Sequence, residues 1–190
     1  MVSDSELVRE CLEGNLKYQE ILYQRFAPIL MGICIRYTRN MEDAQDLLHD
    51  AFVKIYLNLN SFNEKLGSLE AWVKTITINT AINVYRKKQK SGGTMIDIDE
   101  VANMIEDVQV RQNDFLSEKI LLQFINELPD GYRTVFNLFE IDGYSHLEIT
   151  KMLGSSYSTT RSQLFKAKRL LKQKIETYLG KEFKDKKKKK

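Results

Sequence analysis

The sequence predicts an all-α protein, built as two small helical domains joined by a flexible acidic linker. Three observations carry this reading. Apolar residues recur at spacings of three and four through most of the 190 residues, the period of a helix with one buried face. Proline, which breaks helices, occurs only at Pro28 and Pro129. Between the periodic stretches, Ser91–Gly92–Gly93 opens an acid-rich segment with few large apolar residues. The expected organisation is a first domain at 1–90, a linker at 91–114, a second domain at 115–180 and a Lys-rich tail at 181–190 without fixed structure.

The elements follow in order. A first helix is expected from about Asp4 to Glu13, ended by Gly14. A second carries Leu16, Tyr18, Ile21, Leu22, Phe26, Ile29, Leu30 and Ile33 on apolar faces. The third begins at Asn40, whose side chain can cap it, and Glu42, Asp43 and Asp46 suit the positive end of its dipole. "SFNEKLGS", Ser61 to Ser68, reads as a loop, and "LEAWVKTITINTAINVYRKKQK" as a fourth helix with a basic end. Periodicity resumes at "FLSEKILLQFINELPDG" and runs to the last helix.

Composition narrows the function. Net charge is only +3, but it is unevenly spread: acids dominate from Ser91 to Asp130, and Lys and Arg dominate from Arg161 onward. Such asymmetry points to separate surfaces for separate partners. Cys11 and Cys34 are the only cysteines, too few and too far apart for a disulfide framework or a zinc site. They read as core thiols of a reducing compartment, and the expected location is the cytoplasm. No apolar run approaches the roughly 20 residues needed to span a bilayer, so no stable membrane insertion is expected. There is no phosphate-binding glycine loop, and His49 and His146 are far apart in sequence. No enzyme, metal or cofactor is expected.

"YSHLEITKMLGSSYSTTRSQLFKAKRLL" has the shape of a helix-turn-helix. Ser145 and Glu148 have capping-box spacing for a short helix, His146 to Leu153. Gly154 supplies the left-handed turn residue. Ser156 can cap the second helix, whose first turn is crowded with hydroxyls and whose continuation is basic, with no acid from Gly154 to Gln173. Short hydroxyls at a helix start can approach phosphates and base edges, and arginine can bind guanine or phosphate. A solvated basic face on an amphipathic helix fits the same spacing.

Together with "DAQDLLHDAFVKIYLNLNSF" and "LEAWVKTITINTAINVYRKK", this segment resembles the bacterial extracytoplasmic-function RNA polymerase sigma factors of the sigma-70 family. The resemblance covers nearly the whole chain, with both signatures in the family's order. It implies a region 2-like helical bundle and a region 4-like helix-turn-helix domain. It implies that Asp43, Gln45, Asp46, Asp50, Phe52 and Lys54 lie near the face that docks on core RNA polymerase. The loop carrying Phe62 and Asn63 corresponds to the reader of a flipped −10 base; Phe62 is either part of that reader or a hydrophobic plug beneath the loop. Asn79 and Asn83 match positions that contact unpaired DNA, and Arg86, Lys87 and Lys88 match phosphate contacts. In the second domain, Ser158, Thr160, Arg161, Ser162, Phe165 and Lys166 fall where the family reads the −35 element. Ser158 stands where glycine is frequent and Thr160 where a larger aliphatic is usual, which leaves the promoter sequence open.

The function so implied is promoter-specific initiation: binding core polymerase, recognising −10 and −35 promoter DNA, and helping the strands to separate. An anti-sigma factor is an implied partner, and a monomer the implied free state. The alternative class is a stand-alone helix-turn-helix regulator that binds a duplex operator without polymerase.

Overall fold

The computed structural model of the protein describes residues 2–90 and 118–188. Among those residues every regular element is helical, and the chain divides into two compact units between Lys87 and Lys88. The linker expected at 91–114 lies outside the described residues.

The first unit holds four helices: α1 (Asp4–Leu12), α2 (Leu16–Tyr37), α3 (Met41–Asn58) and α4 (Leu69–Lys90). Each start is capped by a short polar side chain that accepts a hydrogen bond from an otherwise unpaired backbone N–H. Ser3 accepts from Glu6 at 3.2 Å, Asn15 from Lys17 at 3.2 Å, Asn40 from Asp43 at 2.7 Å and Ser68 from Ala71 at 3.2 Å. Between α3 and α4 the chain makes two 3₁₀ turns, Leu59–Ser61 and Glu64–Leu66. The core is Leu7, Leu22, Phe26, Leu30, Ile55, Leu59, Leu69 and Val73, all fully buried. Removing each from water contributes about 1.5–3 kcal/mol before chain entropy is counted. The α2–α3 contact is closed by Tyr56, whose hydroxyl donates to the Gln19 carbonyl at 2.9 Å.

The second unit holds α5 (Glu118–Asn126), α6 (Asp130–Phe136), α7 (His146–Leu153) and α8 (Tyr157–Lys188). Its core joins Ile120, Phe124, Ile125, Leu128 and Tyr132 to Ala167 and Leu171 of α8. Arg133 is buried, and its guanidinium donates to the Asn126 carbonyl at 3.0 Å and pairs with Asp130 at 2.7 Å. The buried cation therefore has partners at the end of α5 and the start of α6, as a charge away from water requires. Lys174 bridges to Glu127 at 2.6 Å, tying α8 to the α5–α6 corner. Two features depart from the sequence expectation. After α6 the helix widens into a π turn, Asn137–Ile141. The backbone of α8 also stays helical to Lys188, where the tail from 181 was expected to lack structure. Beyond Gly180 the Lys- and Glu-containing segment up to that point contains no proline and is made largely of fair helix formers.

Candidate nucleic-acid interface

In the second unit, α7 and α8 form the helix-turn-helix from local chemistry. Ser145 and Glu148 make the reciprocal capping box: the Glu148 N–H donates to the serine hydroxyl at 3.3 Å, and the Ser145 N–H donates to the carboxylate at 2.8 Å. The Ser145 hydroxyl also donates to this carboxylate at 2.7 Å, and that bond first, then the one from the Ser145 N–H, holds the Glu148 carboxyl below its usual range. Gly154 ends α7 at φ 64°, a conformation that costs a residue with a Cβ about 1–2 kcal/mol. Ser156 then caps α8, accepting from the Thr159 N–H at 3.1 Å, and its hydroxyl lies 2.8 Å from those of Ser158 and Thr159.

The side chains leaving α8 outward are Ser158, Arg161, Ser162 and Phe165. Phe165 is 68% exposed, a large ring set in water amid a basic surface. Single exposed apolar residues are common, but one within a hydroxyl and guanidinium array is suited to a thymine methyl or a sugar. Thr160 requires a correction. It is 0% exposed, and its hydroxyl donates to the Tyr157 carbonyl at 2.9 Å, so its side chain packs in the core and not on the outward face. Lys166 is half-buried, its ammonium 6.0 Å from the centre of the Tyr132 ring.

An aromatic group stands beside the start of α8. The π turn carries Phe139, whose ring stacks on His146 at 4.5 Å; His146 in turn meets Tyr157 edge-on at 5.7 Å. The Arg161 guanidinium lies 6.0 Å from the Tyr157 ring centre. Burial first, then the charges of Arg161 and Lys168, lower the His146 pKa. The spacing of the apolar residues gave no signal for this group, because the π turn shifts the register that brings Phe139 to His146.

In the first unit, a shallow open cleft of about 290 Å³ runs between α3 and α4. Lys54, Asn58, Ser61, Trp72, Ile76, Asn79, Thr80 and Asn83 line it. Asn79 and Asn83, one helical turn apart on α4, both line this cleft. Phe62 closes on Trp72 beside it, and Asn63 caps the second 3₁₀ turn by accepting from the Lys65 N–H at 3.0 Å. Arg86, Lys87 and Lys88 are exposed along the end of α4.

The face of α3 needs a second correction. Gln45, Asp46 and Asp50 are exposed, and Asp43 is half-buried in the first turn. Phe52, however, is 3% exposed, packed 4.5 Å from the Tyr23 ring and 6.1 Å from that of Tyr56. It is core, because α3 turns this side toward α2. The apolar residues that continue the Asp46–Asp50 stripe are Val53 and Leu57, both exposed. Lys54 leaves toward the cleft, donating to the Thr80 hydroxyl at 3.2 Å.

Residues 22–91 match sigma-70 region 2, and residues 118–171 match sigma-70 region 4, so the two signatures cover both units in sequence order. The chain belongs to the sigma-70 family, in its extracytoplasmic-function group. This sigma factor is 27% identical over 184 residues to the ECF RNA polymerase sigma-E factor of Haemophilus influenzae, covering 92% of this chain and 96% of the relative. It is 26% identical over 185 residues to the RNA polymerase sigma-H factor of Pseudomonas aeruginosa, covering 93% and 95%. Its fold is similar to the sigma factor RpoE solved with the anti-sigma factor NepR from Bartonella quintana, at a TM-score of 0.50 and 23% identity, covering 81% of this chain and 94% of that one. Among the described residues, no helix of the sigma factor is long and apolar enough to cross a membrane.

Proposed function

We propose that this sigma factor binds core RNA polymerase, directs it to promoters through two DNA elements, and helps to open the duplex. The observation that carries this is the pairing of two distinct surfaces on one chain. One is a helix-turn-helix with Arg161, Ser162 and Phe165 projecting from its second helix. The other is a cleft where Asn79 and Asn83 stand beside Trp72, with a basic helix end following.

Each surface has a physical task. Ser158, Arg161, Ser162 and Phe165 read the −35 duplex, with Lys166 reaching backbone phosphate from the edge. The cleft holds an unstacked −10 base: amide groups of Asn79 and Asn83 offer both donors and acceptors to its edge. Phe62, Asn63 and the Trp72 ring bound that space, and stacking against an aromatic offsets the few kcal/mol that extrusion costs. Arg86, Lys87 and Lys88 hold the phosphates that lead to it. Gln45, Asp46, Asp50, Val53 and Leu57 form the docking face for polymerase. The work is done in the cytoplasm without covalent chemistry of its own. An anti-sigma factor holds the chain inactive by covering one of these surfaces.

The test is run-off transcription from a pool of random promoters, with core polymerase in the presence and absence of the protein. Protein-dependent transcripts that share two upstream elements are expected. A chain that binds a duplex operator tightly without polymerase, and yields no such transcripts, would be the stand-alone regulator instead.

A further inference from the structure

We propose that α1 is a strut for the base-reading loop, and that Asp4 and Ser5 are positioning residues for promoter selection. The proposal rests on the sigma-factor reading above. Both residues precede the segment matched to region 2, which begins at residue 22.

The loop that follows fully buried Leu59 carries half-buried Phe62 and then a stretch without burial: Asn63 to Ser68 are all exposed, Leu66 at 87%. A loop so exposed needs ties from elsewhere to hold one conformation. Two come from the first turn of α1. The Ser5 hydroxyl donates to a Glu64 carboxylate oxygen, in the 3₁₀ turn that Asn63 caps. One oxygen of Asp4 accepts from the Leu69 N–H at 3.3 Å, at the start of α4 where the loop ends. Its other oxygen pairs with Arg25 of α2 at 2.7 Å. Asp4 thus joins three helices at one carboxylate, with α1 itself anchored by fully buried Leu7.

The two ties bracket the loop. One fixes the turn beside Asn63 and the other fixes the backbone that leads into α4 and Trp72. Releasing them lets Phe62 and Asn63 sample other positions beside the cleft. A reader that wanders still contacts DNA but discriminates less between the correct base and a wrong one, because specificity is the difference between two affinities.

The experiment uses the full chain with core polymerase and a promoter taken from the selected pool, together with versions altered at single −10 positions. Wild type is compared with Asp4→Ala, Ser5→Ala and Ser5→Thr. Asp4→Ala and Ser5→Ala are expected to lower the transcript ratio between the preferred and altered −10 promoters by about fivefold, the effect of losing one solvent-exposed hydrogen bond of ordinary net strength. Affinity for core polymerase and dependence on the −35 element should stay as in wild type, and Ser5→Thr should restore the ratio by keeping the hydroxyl. An unchanged ratio in both alanine variants overturns the strut, as does an equal fall on every promoter. Should Asp4→Ala fail to fold, Ser5→Ala decides, since it removes the Glu64 tie alone. A wild-type chain that directs no promoter-dependent transcripts overturns the sigma reading and the strut with it; a discriminating wild type beside unaltered variants overturns the strut only.

Discussion

The ring of Phe62 meets the indole of Trp72 edge-on, with centroids 5.8 Å apart and planes at 66°. Both side chains are half-buried, so the pair is neither a sealed core contact nor a free platform. Such a pair contributes about 0.5–1.5 kcal/mol beyond its buried area. Phe62→Ala should lower the stability of the first unit by roughly 1 kcal/mol beyond the loss of area, in a denaturant titration. Its effect on promoter opening should be larger than its effect on core binding. Equal losses in both would return Phe62 to a purely structural plug.

Thr160 and Arg161 are neighbours on α8, the first buried and the second exposed. Arg161→Ala should weaken binding to the preferred −35 duplex by about 1–3 kcal/mol and relax specificity at one position. Uniform weakening on all sequences would make it a phosphate contact. Thr160→Val should alter the melting temperature and leave the −35 preference unchanged, since the side chain is enclosed.

On α3, charge and packing can be separated. Asp46→Arg should reduce affinity for core polymerase while the melting curve stays in place. Phe52→Ala should do the reverse at its source, lowering stability by about 3–5 kcal/mol through the cavity it leaves between Tyr23 and Tyr56. Normal core affinity in Asp46→Arg would remove Asp46 from the docking face.

Burial pushes the Cys34 thiol up to about 12 and raises that of Cys11 as well. Both are therefore thiols rather than thiolates at neutral pH. A thiol-reactive dye should label neither in the native protein within minutes, and both once guanidinium is added. Rapid native labelling of Cys34 would contradict its enclosure.

His146 gives the second unit a pH dependence. Its pKa is lowered in the folded state by burial and then by Arg161 and Lys168. The unfolded chain therefore binds the proton more readily. The stability from this group is present above the unfolded value of about 6.5 and is lost as pH falls through the lowered one. Thermal melts should show the second unit weakening on acidification through that range, and His146→Phe should flatten the dependence. A wild-type profile that matches the variant's would sink this assignment.

Local chemistry was legible in the sequence. Asn40, Ser145 with Glu148, and Gly154 mark helix ends because a cap is decided within four residues. Faces were harder to read, and threonine shows why. Thr77, Thr80 and Thr160 look polar, yet all are buried, with hydroxyls donating to the carbonyls of Val73, Ile76 and Tyr157. A threonine that satisfies its own hydroxyl this way packs like an apolar residue. The resemblance alone sets Phe52 near the docking face; α3 has apolar residues on two sides, and only the contact with α2 says which is inside. The ties from Asp4 to Leu69 and from Ser5 to Glu64 span 65 and 59 residues of sequence, and no periodicity reports a pairing over such separations.

Helix α8 buries Thr160, Leu164, Ala167 and Leu171 while Arg161, Ser162 and Phe165 face outward from the same unbroken rod. The two stripes share one helical phase. With the outward stripe reading the −35 element as proposed, promoter preference can drift by exchanging outward side chains one at a time, a change that costs the core nothing. Inserting or deleting a residue within 160–167 is a different matter. It would turn one stripe by about 100° against the other, so that either the reading face or the core must be abandoned. The length of this segment is thus held by packing, while its wording is left to evolve.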